Sequence, residues 1–277
     1  MLKIKVVNFG LALIVSLFFQ VALMEVTVKF FPRFKENSVT GYSSDIVDPS
    51  LSRLNSVDKF IGFCDSVFGK EIKSHSDSAQ YANLVSKVIR YRFQHGYSWY
   101  RFGHNYVAKL IAPMLNKNLS AIVVPDDILE YETAACSQQS IVGMKVLMEK
   151  GYLVRAVGFY DTLIGGHFCY EIKFNGDWHF YDPNREPDEE LLDKYNRPSI
   201  KELNENKELL VAAYPNDKKE NVLALYSTYK YGKERKLPGA NARLFQRITQ
   251  ILSYTLWIFL AILYLYLDKR FFSKKTK

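Results

Sequence analysis

Apolar positions fall into three regimes along this chain. At the two ends they run together without a polar face. Residues 6–24, VVNFGLALIVSLFFQVALM, are interrupted only by Asn8, Ser16 and Gln20, and Ile251–Leu267, ILSYTLWIFLAILYLYL, carries no charge and has Trp and Tyr toward its ends. Each run approaches the ~20 residues that cross a bilayer as a helix. In the middle, apolar residues recur every three or four positions. Leu51, Leu54, Val57, Phe60, Ile61 and Cys64 predict a helix ending at Gly69, and Tyr81, Leu84, Val85, Val88 and Ile89 predict a second, capped by Ser76 or Asp77. YVAKLIAPMLNKN predicts a shorter helix that Pro113 ends or kinks. Ile141, Met144, Leu147 and Met148 predict a fourth, opened by Cys136 and stopped at Gly151. Beyond it the period drops to two: YLVRAVGFY reads as a strand, and GGHFCYEIKFNGDWHFYDPN as a hairpin turning at Asn175-Gly176.

This order predicts an α+β fold, helices packed on an antiparallel sheet, held between two transmembrane helices. The expected divisions are an anchor over 1–24, a polar stem and accessory helix over 25–76, a core over 77–200, a helical connector over 201–249, a second span over 250–268 and a basic tail over 269–277. The Glu and Lys runs of the connector read as solvated faces. The first apolar run is longer than the core of a secretory signal, and VALME offers no small-x-small cleavage site, so an uncleaved anchor is expected.

Charge changes the picture mainly by where it lies. The net +8 suggests nucleic acid, but Asp268–Lys277 holds +4 of it and Lys3 with Lys5 another +2, leaving +2 for everything between. A basic excess at the flanks of apolar runs fits membrane lipid as a partner and gives no groove for nucleic acid. The dense basic cluster at the end favours cytosolic tails and an extracytoplasmic domain. Three cysteines do not make a disulfide framework. His75, His95, His104 and His179 lack ligand spacing, so no metal is expected, and Gly165-Gly166 has neither P-loop nor Rossmann context, so no cofactor is expected.

Candidate chemistry gathers around Cys136. At a helix N-terminus, unpaired N–H groups and the macrodipole favour a thiolate, the nucleophilic form. A two-residue type I′ turn at Asn175-Gly176 makes partner numbers in the hairpin sum to 351, so Asp182 faces Cys169 and His167 is its diagonal neighbour on the same face. Diagonal pairs lie within reach of a hydrogen bond between imidazole and carboxylate. Cys169 shares that face but lies on a strand, where it reads as packing, as Cys64 does within its helix.

Cys136 opening CSQQSIVGMKVLMEKGYLVRAVGF, His167 in GGHFCYEI and Asp182 in DWHFYDPN, with Trp178 and Pro183 fitting a G-x-W…D-P ending, resemble the transglutaminase-like superfamily, a papain-like group. Ala134 and Cys169 depart from its pattern, which often has Gly shortly before the cysteine and Trp two after the histidine. The resemblance implies a catalytic Cys136, His167 and Asp182, acyl transfer through a thioester, and a peptide or amide substrate at the membrane surface. It leaves three readings: a cysteine hydrolase or peptidase, a true transglutaminase with an amine acceptor, and a catalytically degenerate scaffold in an envelope or polysaccharide assembly.

Overall fold

The structure, a computed structural model, describes residues 2–30, 47–69, 71–72, 74–161, 165–185 and 187–271. Residues 31–46 of the expected stem and 272–277 of the expected basic tail lie outside the described residues. The elements in chain order are α1 (Leu2–Phe30), α2 (Val57–Phe68), α3 (His75–Arg92), β1 (Gln94–His95), α4 (Tyr106–Leu115), α5 (Pro125–Leu129), β2 (Thr133–Ala134) and α6 (Cys136–Glu149). There follow β3 (Leu153–Asp161), β4 (Gly165–Phe174), β5 (Asp177–Tyr181), α7 (Glu189–Lys194), α8 (Ile200–Glu205), α9 (Lys207–Ala212), α10 (Lys219–Tyr226), β6 (Tyr229–Tyr231) and α11 (Ala240–Phe271). They form two compact units, one of residues 38–98 and 123–240, the other of residues 1–37, 99–122 and 241–277.

Local chemistry sets the helix boundaries in the first of these units. The stretch from Leu51 to Gly69 is not one helix: a 3₁₀ turn, Pro49–Arg53, precedes α2, whose cap Ser56 accepts the Lys59 N–H. The cap of α3 is Ser74, not Ser76 or Asp77. Asp77 sits three residues in and accepts the Ser74 N–H at 3.0 Å while Ser74 accepts the Asp77 N–H at 3.1 Å, a reciprocal capping box. In the second unit α4 continues through Pro113 to Leu115, because the Asn116 N–H reaches the Ala112 carbonyl at 2.9 Å and closes the helix beyond the proline.

The larger sheet is antiparallel with strand order β5-β4-β3-β6. Asn175 and Gly176 both have positive φ, as a type I′ turn requires, and Phe174 pairs with Asp177, so the expected register holds. Arg155 of β3 ties the strands across one face: its guanidinium lies 4.0 Å from the Trp178 ring of β5 and 3.7 Å from the Tyr231 ring of β6, and it bonds the buried Glu171 carboxylate of β4. The other oxygen of Glu171 accepts the Ile200 N–H at the start of α8.

Val157, Phe159, Cys169 and Phe180 on that same face pack with Leu203, Leu210, Leu225 and other apolar residues of α7–α10 in one cluster. Alternate residues face the opposite way, toward α3 and α6. A Cβ on Gly143 of α6 would come within 2.8 Å of the Tyr170 hydroxyl of β4 and 2.9 Å of Ile89 of α3, so only glycine lets the three elements close. The substitution Gly143→Val is expected to cost about 1–3 kcal/mol by overpacking. Thermal melts of the detergent-solubilised protein would show it as a lower Tm, and an unchanged Tm would mean that this contact is loose.

In the second unit, α1 contains the apolar stretch Phe9–Thr27, with mean hydropathy 2.1, and α11 contains Ala240–Leu267, with mean hydropathy 1.8. Both are long and apolar enough to span a membrane. Their rings meet at Phe19 and Trp257, with centroids 4.9 Å apart.

Candidate active site

The start of α6 is built by two consecutive glutamines. Ala135 has no side chain to cap the helix, and the Gln138 Oε1 accepts its N–H at 3.2 Å instead. The same oxygen accepts the Ser98 N–H at 2.8 Å, and the Gln138 amide donates to the Ser98 carbonyl at 3.0 Å. Gln139 donates to the carbonyl of Ala134, in the strand β2 that pairs in parallel with β1. These bonds fix Cys136 as the first residue of the helix, half-buried, with the positive end of the dipole at its thiol. The Cys136 N–H, in the first turn, is one of the groups a helix leaves without an internal partner.

The hairpin brings the other two residues to this point. His167 Nε2 donates to Asp182 Oδ2 at 2.7 Å, with both side chains buried, and the Cys136 thiol is near enough to the same ring to raise its pKa. The fold therefore gathers Cys136, His167 and Asp182 at one place. Burial alone would lower the His167 basicity, but the charge of Asp182 and the hydrogen bonds from Asp182 and Cys136 outweigh it and raise its pKa to about 9. Burial likewise pushes the Asp182 carboxyl up, yet the imidazolium and the surrounding donors hold it well below the usual carboxylate range.

Asp182 is surrounded by donors that the sequence pattern did not point to. Besides His167, its Oδ2 accepts the hydroxyls of Tyr226 at 2.7 Å and Tyr214 at 3.0 Å, while Oδ1 accepts the N–H groups of Asn184 and Arg185, each at 3.2 Å. Tyr226 also stands edge-on to the His167 ring at 6.0 Å, and Phe159 stacks on that ring at 6.1 Å. Aromatic packing beside the imidazole thus comes from Phe159 and Tyr226. Tyr214 and Tyr226 lie in the charged stretch after residue 201, and their one sequence signal is that each closes a short apolar run, LLVAAY or VLALY.

The other two thiols are buried: burial pushes Cys169 well above the ordinary thiol range, the charge of Asp182 adds to this, and burial raises Cys64 to about 12, so both stay protonated. His167, Cys169 and Asp182 offer three ligand atoms within 4.8 Å of one another, a set that could hold a metal. The carboxylate oxygens of that set are already engaged by five donors, His167 Nε2 among them.

Proton linkage follows from these shifts. Between 6.5 and about 9 the native state holds a proton on His167 that the unfolded chain releases, so its stabilisation is complete below about 6.5 and is lost as pH rises through 9. Unfolding free energy is expected to decline from pH 7 to 10 in the wild type and less steeply in His167→Gln. Equal slopes in denaturant melts would show that His167 is not charged in the folded protein.

Removing one hydroxyl tests the Asp182 environment. A hydrogen bond to a charged group contributes ~1.5–3 kcal/mol, and Tyr226→Phe keeps the ring while deleting that bond. Unfolding free energy in denaturant melts is expected to fall by about 1.5–3 kcal/mol, because the carboxylate stays buried with one donor fewer. Wild-type stability would mean that the hydroxyl contributes nothing to holding the charge.

No family model and no curated protein sequence matches the chain. Two solved structures align with part of it: a "putative cysteine protease" from Cytophaga hutchinsonii, at 14% identity over 52% of this chain and 45% of that one with a TM-score of 0.31, and a TGase, at 12% identity over 53% and 34% with a TM-score of 0.30. The aligned region spans less than half of either solved chain. At that level of likeness the chemistry is read from the site itself: a thiol at a helix N-terminus, an imidazole whose basicity it raises, and a buried carboxylate bonded to the ring.

Proposed function

We propose that the protein is a membrane-anchored thiol enzyme that cleaves an amide or peptide bond through Cys136, His167 and Asp182. The observation that carries this reading is His167 bonded to the buried Asp182 and near enough to the Cys136 thiol to be made more basic by it, with that thiol on the first turn of α6. A histidine held between a carboxylate and a thiol is poised to keep the thiol as thiolate and itself as imidazolium.

The Cys136 thiolate attacks the carbonyl carbon of the substrate, and the Cys136 N–H stabilises the oxyanion that forms. The tetrahedral adduct collapses, the carbon–nitrogen bond breaks and His167 protonates the departing amine, leaving a thioester. His167, now neutral, takes a proton from water; the hydroxide attacks the thioester, releases the acid and restores the thiolate. Asp182 stays ionised throughout and holds the ring so that its other nitrogen faces sulfur, and the tyrosines keep Asp182 in place. With an amine in place of water the same intermediate gives transamidation, so hydrolase and transglutaminase differ only in the acceptor.

Membrane anchoring by α1 and α11 belongs to this proposal, as does an extracytoplasmic catalytic unit with cytosolic tails. The dense basic cluster in the last ten residues of the sequence supports that orientation.

The test compares alkylation of Cys136 by iodoacetamide in wild type, His167→Ala and Asp182→Asn, with Cys136→Ala as the blank. At neutral pH the wild type is expected to react at least about 10-fold faster than His167→Ala, because only thiolate reacts. Asp182→Asn is expected between the two. Equal rates in wild type and His167→Ala would end the thiol-enzyme reading and leave the scaffold. Where the relay holds, release of amine from peptide substrates against incorporation of a labelled primary amine separates hydrolase from transglutaminase.

A further inference from the structure

The unit formed by α1, α4 and α11 is packed inside out. Its interior carries a polar network beside the buried Val107, Ala108 and Ala112: Glu25, Asn105, Gln246 and Ser253 are fully buried, and Thr249 nearly so. They bond one another and the main chain. Asn105 donates to the Gln246 carbonyl at 3.0 Å and to the Thr249 hydroxyl at 3.1 Å; the Ser253 hydroxyl donates to Asn105 Oδ1 at 3.2 Å and accepts the Val107 N–H at 3.2 Å. Gln246 donates to the carbonyls of Leu119 and Ala121 at 3.1 and 2.8 Å. Glu25 of α1 accepts the Tyr106 N–H at 2.6 Å, in the first turn of α4.

Its surface is apolar. Met114 is 85% exposed, Leu115 65% and Leu110 50% on α4; Leu244 and Ile251 are 62% and 63% exposed on α11, on a ridge with Ile248. In water this arrangement is the reverse of what the hydrophobic effect selects. In hydrocarbon it is the expected one, because lipid accepts apolar side chains, whereas backbone and polar groups must find partners inside the protein.

The depth of α4 points to the same surroundings. Its first residue, Tyr106, packs its ring on Phe18 with centroids 5.9 Å apart, and Phe18 lies within the apolar stretch of α1 rather than beyond it. Glu25, which holds the Tyr106 N–H, is also within that stretch. Helix α4 therefore starts below the end of one apolar span and beside Ser253, near the start of the uncharged run of α11. Its ten residues are too few to cross a bilayer. Lys109 is exposed on the same helix, and Arg247 is exposed next to Ile248 on α11, with stems long enough to lead their charges to headgroups.

We infer that α4 is a third membrane element, a short helix seated in the bilayer interface against the two spans with Leu110, Met114 and Leu115 in the acyl chains, and that the lipid-facing surface of α11 extends over its first turns through Leu244, Ile248 and Ile251. The occupant of this apolar face is the lipid bilayer. The inference rests on the anchoring of α1 and α11 proposed above.

The experiment uses the full chain carrying Cys136→Ala, in which Cys64 and Cys169 are buried, reconstituted into phosphatidylcholine vesicles. Single cysteines at Met114, Leu115 or Leu17, the last in the middle of the α1 span, carry an environment-sensitive fluorophore. Lipids brominated near the headgroup or deep in the acyl chain and aqueous iodide serve as quenchers. At Met114 and Leu115 quenching is expected to be strong with shallow bromines and weak with iodide, and at Leu17 strongest with deep bromines. Strong iodide quenching at Met114 and Leu115 with bromine quenching retained at Leu17 overturns the seating of α4 and leaves the anchors standing. Protection of Met114 and Leu115 from both quenchers means that a second copy covers the face, which also overturns it. Loss of bromine quenching at Leu17 as well removes the anchoring and this inference together.

Discussion

The buried carboxylate of Asp182 is the constraint around which the unit that carries the sheet is arranged. An ionised group removed from water costs several kcal/mol unless every lone pair finds a donor. Here the donors come from three parts of the chain: His167 on β4, the Asn184 and Arg185 amides just after β5, and Tyr214 and Tyr226 on the helical segment beyond. The same charge that demands those donors keeps the imidazole protonated and turned toward Cys136. Packing and protonation therefore share one cause: loosening the tyrosine segment would expose the carboxylate and weaken the ion pair of Asp182 with His167.

Geometry at this site is transmitted by the sheet. The turn at Asn175-Gly176 fixes which residues face one another, and that register places Asp182 and His167 on one face. Arg155, between Trp178 and Tyr231, holds the outer strands to the inner pair and, through Glu171, to the start of α8. Strands and C-terminal helices are thus tied on the face that carries the histidine, while glycine at 143 allows α6 to lie close on the other. A nucleophile on a helix and a base on a sheet keep their spacing only if the two elements cannot slide. Contact between Gly143 and Tyr170 leaves no room for that.

A different solvent accounts for the second unit. Asparagine, glutamine, serine and glutamate inside with leucine and methionine outside is costly in water and favourable in lipid, since hydrocarbon cannot satisfy a polar group and does not reject an apolar one. The buried network that joins α4 to the spans is also local in effect. It satisfies N–H groups in the first turn of α4 that the helix cannot satisfy itself, through Glu25 for Tyr106, Asn105 for Ala108 and Ser253 for Val107.

Sequence by itself determined the features whose cause is local. The two apolar runs follow from composition, the hairpin from an Asn-Gly pair, the place of Cys136 from the onset of helical periodicity, and the pairing of His167 with Asp182 from a period of two counted across the turn. Where competing local signals existed, it gave the wrong cap for α3 and joined the 3₁₀ turn at Pro49 to α2, since several serines and aspartates there have the same propensity and the hydrogen bond alone decides between them. Tertiary structure alone decided the rest. Tyr214 and Tyr226 reach Asp182 from 32 and 44 residues away, and the polar interior of the second unit joins residues 81 to 148 apart. No periodicity records such contacts, because a tyrosine that closes an apolar run looks the same whether its hydroxyl meets water or a buried carboxylate.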